Sequence, residues 1–158
     1  MNEQDFQKLK LMGESLRRLN SKVKLLGLLN KAKDEYDKNK LDDCEATCLE
    51  ILKSSPKNSI ALRGLGCVMQ SRDEISKALE YYNKALECSE NKEIEYTLIG
   101  TVYYSEDKFE EAIKYFNLAI EVNDDYDLAY EGRNQSMLEN HLQILDLQES
   151  LIKRNMFK

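Results

Sequence analysis

The sequence predicts an all-α chain built as a solenoid of antiparallel helix pairs, and three observations lead there. Its 158 residues hold 6 Gly, 1 Pro and no Trp, too few turn formers for an all-β fold. The stretch KFEEAIKYFNLAIEVN (108–123) is echoed upstream by EISKALEYYNKALECS (74–89), at an offset of 34 residues. Apolar residues within each echo recur at i, i+3, i+4 and i+7, the spacing of one helix face.

The elements follow in chain order. From Leu9 an apolar stripe runs through Met12, Leu16, Leu19, Val23 and Leu26, in alternating steps of three and four. This is a heptad seam, and it marks residues 1–24 as an N-terminal amphipathic helix. That helix either continues into the first repeat or breaks near Asn20 and Ser21. Three copies follow, at 25–58, 59–92 and 93–126, each with two amphipathic stretches around a short polar break. In the third, EIEYTLIGTVYY (93–104) precedes SEDK and then FEEAIKYFNLAIEV (109–122). Ser105 and Asp107 are the expected caps of that second helix. Residues 127–138 begin a fourth copy that drifts. Leu138, Leu142, Leu145 and Ile152 then mark a terminal helix over the rest of 127–158, expected to cap the last repeat as solenoid ends require.

Shifted by 34 residues, the copies align in columns: Cys44, Ala78, Ala112; Ile51, Ala85, Ala119; Cys48, Tyr82, Phe116; Leu41, Ile75, Phe109. Ala32, Gly66, Gly100 and Asn134 share another. Small residues at such positions let antiparallel helices approach closely.

These columns resemble the tetratricopeptide repeat, whose signature of an aromatic, Leu-Gly, Tyr, Ala, Phe and Pro spans 34 residues. The third copy shows Tyr96, Ile99-Gly100, Tyr103, Ala112, Phe116 and Ala119. The second shows Leu62, Leu65-Gly66, Met69, Ala78, Tyr82 and Ala85. The first is weaker, with Leu28, Ala32, Cys44 and Cys48, but keeps the turn proline, Pro56. The resemblance implies a right-handed α-solenoid of three repeats plus flanking helices. It also implies that one stripe of each first helix lines a concave surface holding a protein or peptide segment. That stripe would comprise Leu26, Leu29, Lys33 and Tyr36; Ile60, Arg63, Cys67 and Gln70; Ile94, Thr97, Thr101 and Tyr104; and, from the partial fourth copy, Leu128, Glu131 and Gln135.

Family members that grip acidic chaperone tails use a clamp of Lys, Asn, Asn, Lys and Arg. The corresponding slots here hold Leu29, Lys33, Gly64, Ile94 and Leu98. No residue type matches, and a segment with apolar anchors is the better expected ligand. In length and layout the chain is also similar to secretion chaperones that hold translocator proteins through three such repeats. A second class of function is self-assembly: Leu9, Met12, Leu16, Leu19 and Val23 would form a homodimer seam or fold back into the chain's own groove.

The sequence offers little for catalysis. It lacks a Gly-rich phosphate loop, a nucleophile elbow and zinc-ligand spacing. The single histidine, His141, lies in the C-terminal helix, and the acids of SEDKFEE lack the pattern of a calcium loop. The expectation is a non-catalytic scaffold, adaptor or chaperone with no cofactor and no metal. Cys44, Cys48, Cys67 and Cys88 are expected as free thiols in helices, which suits the cytoplasm. The N-terminus lacks the apolar stretch of a signal peptide, and no run approaches a membrane span. The net charge is −6, a poor match for nucleic acid. It is unevenly spread. Residues 1–24 carry six basic and three acidic side chains, a net +3, while 93–126 carry two basic and nine acidic, a net −7.

Overall fold

The computed structural model describes residues 3–156. The first and last two residues, which belong to the two expected flanking segments, lie outside the described residues. Seven helices make up the described chain, with no strand among those residues: α1 (Glu3–Asp37), α2 (Leu41–Ser54), α3 (Ser59–Ser71), α4 (Ile75–Cys88), α5 (Lys92–Ser105), α6 (Phe109–Val122) and α7 (Asp127–Met156). Helices α1·α2, α3·α4 and α5·α6 form three hairpins. Each hairpin packs on the next through α2·α3 and α4·α5, and α7 packs on α6 and α5. This is an α-solenoid.

Each hairpin turn has the same backbone solution. Asn39, Asp73 and Asp107 adopt positive φ values of 56°, 62° and 57°. The next residue then donates back across the helix end: Lys40 N to Glu35 O, Glu74 N to Met69 O, and Lys108 N to Tyr103 O, at 2.8, 2.9 and 3.0 Å. This is a Schellman closure with Asn or Asp where glycine is usual, since short polar side chains tolerate the left-handed region. It corrects the expected capping of α6. Its N-cap is Lys108 with no side-chain hydrogen bond. Ser105 remains in α5, and its hydroxyl bonds Val102 O. Asp107 is the turn residue. A side-chain cap does form on α3, where Asn58 Oδ1 accepts from Ala61 N at 2.9 Å.

The core runs through the hairpins as one cluster. Ile51, Leu65, Val68, Tyr82, Ile99 and Val102 are fully buried. Glycines set the helix spacing. A Cβ on Gly66 would lie 2.4 Å from the Tyr82 ring, and one on Gly100 would lie 3.0 Å from the Phe116 ring. Gly132, not the expected Asn134, reaches Phe116 from the other side, where an added Cβ would come within 2.5 Å. Asn134 is exposed.

The flanks depart most from expectation. Helix α1 is unbroken across residues 20–25, so the N-terminal helix and the first helix of repeat 1 are one element. The seam therefore does not fold back over the groove, and Leu9, Met12, Leu16, Leu19 and Val23 are all more than half exposed. At the other end α7 buries Ala129 and Ser136, but every residue from 141 to 154 is exposed. Leu138, Leu142, Leu145 and Ile152 thus do not cover the last repeat. The apolar pattern marked a helix there correctly, but that helix runs past the array instead of turning back over it.

Candidate protein-binding groove

Residues expected in the groove from repeats 1 and 2 come together. A cavity of about 370 Å³ opens between α1 and α3, lined by Leu26, Leu29, Lys33 and Tyr36 from one helix and by Ile60, Arg63 and Cys67 from the other. Cys44 and Cys48 of α2, with Ala32, Ala61 and Gly64, also line it. Helical spacing explains the gathering. Positions 26, 29, 33 and 36 fall on one side of α1, and 60, 63 and 67 on one side of α3. Gly64 keeps α3 close to α2, since a Cβ there would sit 2.8 Å from Cys48 Sγ. Ile60 and Leu26 are each more than half exposed, so apolar surface stands open to a ligand.

The polar members of the expected stripe are largely engaged within the chain. Arg63 donates to both carboxylate oxygens of Glu95, from Nε at 2.8 Å and Nη2 at 2.7 Å. Glu95 is fully buried, so this bidentate pair is charge-assisted and shielded from water. Tyr82 Oη donates to Gln70 Oε1 at 2.9 Å and lies 3.4 Å from Cys67 Sγ. Tyr36 Oη and Ser71 Oγ are 3.0 Å apart. Lys33 is exposed. The wall of the cavity is therefore a fixed polar lattice under an apolar lining.

Burial pushes the Cys48 thiol up to about 12 from its ordinary 9.0, with the neighbouring Cys44 adding to the shift. Burial likewise raises Cys44 and Cys67. All four cysteines are free, with Cys44 and Cys48 buried. At neutral pH the three in the cavity are protonated and behave as small apolar groups.

The remaining expected groove residues lie outside the cavity. Ile94 is half-buried and Thr101 exposed, its hydroxyl donating to Thr97 O at 2.9 Å. Thr97 is buried, which corrects its placement on the open stripe, and its hydroxyl oxygen has no hydrogen-bond partner. Tyr104 packs on Phe109, with ring centroids 5.6 Å apart. Leu128, Glu131 and Gln135 are exposed on α7, and Gln135 bonds Glu139 at 2.8 Å. Sequence reasoning missed Glu95. A signal was present, because the flanking copies place Ala61 and Ala129 in its column. A charge where both neighbours bury alanine calls for a buried partner.

No helix among the described residues is long and apolar enough to cross a membrane. No curated protein matches the chain in sequence. The family model for the tetratricopeptide repeat matches residues 96–126. Among solved structures the chain is similar to an O-GlcNAc transferase mutant from Thermobaculum terrenum, at 22% identity and TM-score 0.65. That match covers 72% of this chain but 22% of the transferase, so the chain spans about a fifth of that enzyme's length. It is also similar to the first TPR of Spaghetti (RPAP3) bound to the HSP90 peptide SRMEEVD, at 17% identity, TM-score 0.64, and 72% and 90% coverage. The Sgt2 TPR domain from Aspergillus fumigatus matches at 13% identity and TM-score 0.67, with 75% and 80% coverage. Residues 96–126 thus match a tetratricopeptide repeat, and the array around them has the fold of solved TPR domains.

Proposed function

We propose that the chain is a non-catalytic interaction module, an adaptor, scaffold or chaperone, which holds a protein segment through apolar anchors in the cleft between α1 and α3. The observation that carries this reading is the lining of that cleft. Leu26, Leu29 and Ile60 stand over protonated thiols, with Lys33 exposed beside them. An apolar pocket with a few fixed polar groups is the general form of a recognition site. Each anchor side chain buried there contributes about 1.5–3 kcal/mol.

One similar structure holds an acidic chaperone peptide. The cleft here is built for a different ligand. Lys33 lies beside it, but Leu29, Gly64, Ile94 and Leu98 stand where a cationic and amide clamp would be, and Arg63 is committed to Glu95. Free thiols in and beside the cleft suit a reducing compartment such as the cytoplasm.

The test is site-specific photo-crosslinking in the native host, with benzoylphenylalanine placed at Ile60 or, as a control, at exposed Glu80 on the outer helix α4. A discrete adduct at position 60 that Leu29→Glu abolishes is the expected result. Equal adducts from both positions, or one insensitive to Leu29→Glu, would overturn the groove assignment.

A further inference from the structure

The cleft between α1 and α3 carries a one-sided charge. No acidic side chain lines it, and its cations are Lys33 and Arg63. Arg63 is held by the buried Glu95 carboxylate through two hydrogen bonds. Lys33 is exposed and makes no ion pair among the described residues. Other lysines of α1 near it are engaged, Lys31 with Glu35 at 3.5 Å and Lys38 with Asp34 at 2.8 Å. The chain as a whole has a net charge of −6, so a free cation at the cleft does not follow the general balance.

Asn30 lines the same cleft, is exposed, and has no hydrogen-bond partner among the described residues. Residues three apart on a helix are neighbours on its surface, so the Lys33 ammonium and the Asn30 amide present their N–H groups side by side. An ammonium beside an amide suits a carboxylate, which only accepts hydrogen bonds when ionised. Past Ile60 the surface continues into a second depression of about 320 Å³, where Glu90 lines the wall together with Lys57 and the two charges offset. The uncompensated charge is confined to the Lys33 side.

We infer that the cleft selects a segment with an aspartate or glutamate close in sequence to its apolar anchor, the carboxylate seated on Lys33 and Asn30. This rests on the cleft being the protein-binding groove, and adds the sign of the charge that accompanies the anchor. Burial of the anchor supplies the affinity, and the single carboxylate supplies selection among apolar segments.

Enrichment of random displayed peptides on the wild type and on Lys33→Glu tests it. Position 33 is exposed, and circular dichroism checks that the variant keeps its helices. The wild type is expected to enrich apolar peptides with an acid at one fixed distance from the anchor. Lys33→Glu is expected to enrich lysine or arginine at that place. For one wild-type peptide, Lys33→Glu should weaken binding at least about tenfold, and replacing the peptide's acid with lysine should restore most of the loss. Apolar peptides enriched without an acid would overturn the inference and leave the apolar groove standing. So would an acid preference that Lys33→Glu retains, or equal affinity for the two proteins. No enrichment at all, or binding that ignores Leu29→Glu, would overturn the groove itself and this inference with it.

Discussion

Asn39, Asp73 and Asp107 recur every 34 residues in the left-handed backbone region that closes each hairpin. A side chain with a Cβ costs about 1–2 kcal/mol there, and glycine costs nothing sterically. Asp73→Gly should therefore leave the urea midpoint unchanged or raise it slightly, while Asp73→Val should lower stability by about 1–2 kcal/mol. More stability rests on the Arg63–Glu95 pair. Arg63→Ala leaves a fully buried carboxylate without its partner and should cost about 3–5 kcal/mol. Adding Glu95→Ala, which restores the alanine found in the flanking copies, should recover most of that loss in a double-mutant cycle. Cys48 contributes to the alkaline limit, together with Cys44, Cys67 and Tyr82, which burial shifts in the same direction. An acid whose folded pKa is raised stays neutral in the fold while the unfolded chain ionises. The Cys48 contribution is complete below about 9 and is lost as pH climbs toward about 12. Chemical-denaturation stability measured from pH 8 to pH 11 should fall accordingly, and Cys48→Ala should lessen that slope.

Among the helices, those of the repeats were legible because each buries one face, so apolar spacing and burial coincide. Leu62, Leu65, Gly66 and Met69 are all buried in α3, as their spacing predicts. Helix ends were less legible. Capping residues near residue 107 compete with a left-handed turn residue, and the same Asp serves either role until the backbone is known. The flanks were least legible, since a heptad stripe fixes a helix but not what covers it. Helix α1 shows this directly. Gly13 and Gly27 lie inside it, and an added Cβ at either meets nothing within 4 Å. Gly13→Ala should therefore stabilise the helix by about 0.5–1 kcal/mol, seen as higher ellipticity and a later thermal transition. Gly66→Ala should do the opposite, because its Cβ would enter the Tyr82 ring, and overpacking costs about 1–3 kcal/mol.

For the whole molecule, the array turns a 34-residue echo into a shared core and leaves the first helices α1 and α3 to form the wall of a cleft. Half of that wall was readable. Leu26, Leu29, Tyr36 and Ile60 line the cleft as their spacing implies. Thr97 was misjudged, and the pairing of Arg63 with Glu95 was missed, because sequence spacing gives the face of a residue but not its partner in the next repeat. The central claim is that apolar anchors in the α1·α3 cleft carry recognition. Its most direct measurement is a calorimetric titration of a peptide enriched from a random displayed library against wild type and a Leu29→Glu, Ile60→Glu double variant of unchanged helicity. Loss of two anchors predicts at least about 100-fold weaker binding for the variant. Equal affinity for the two proteins would contradict the account.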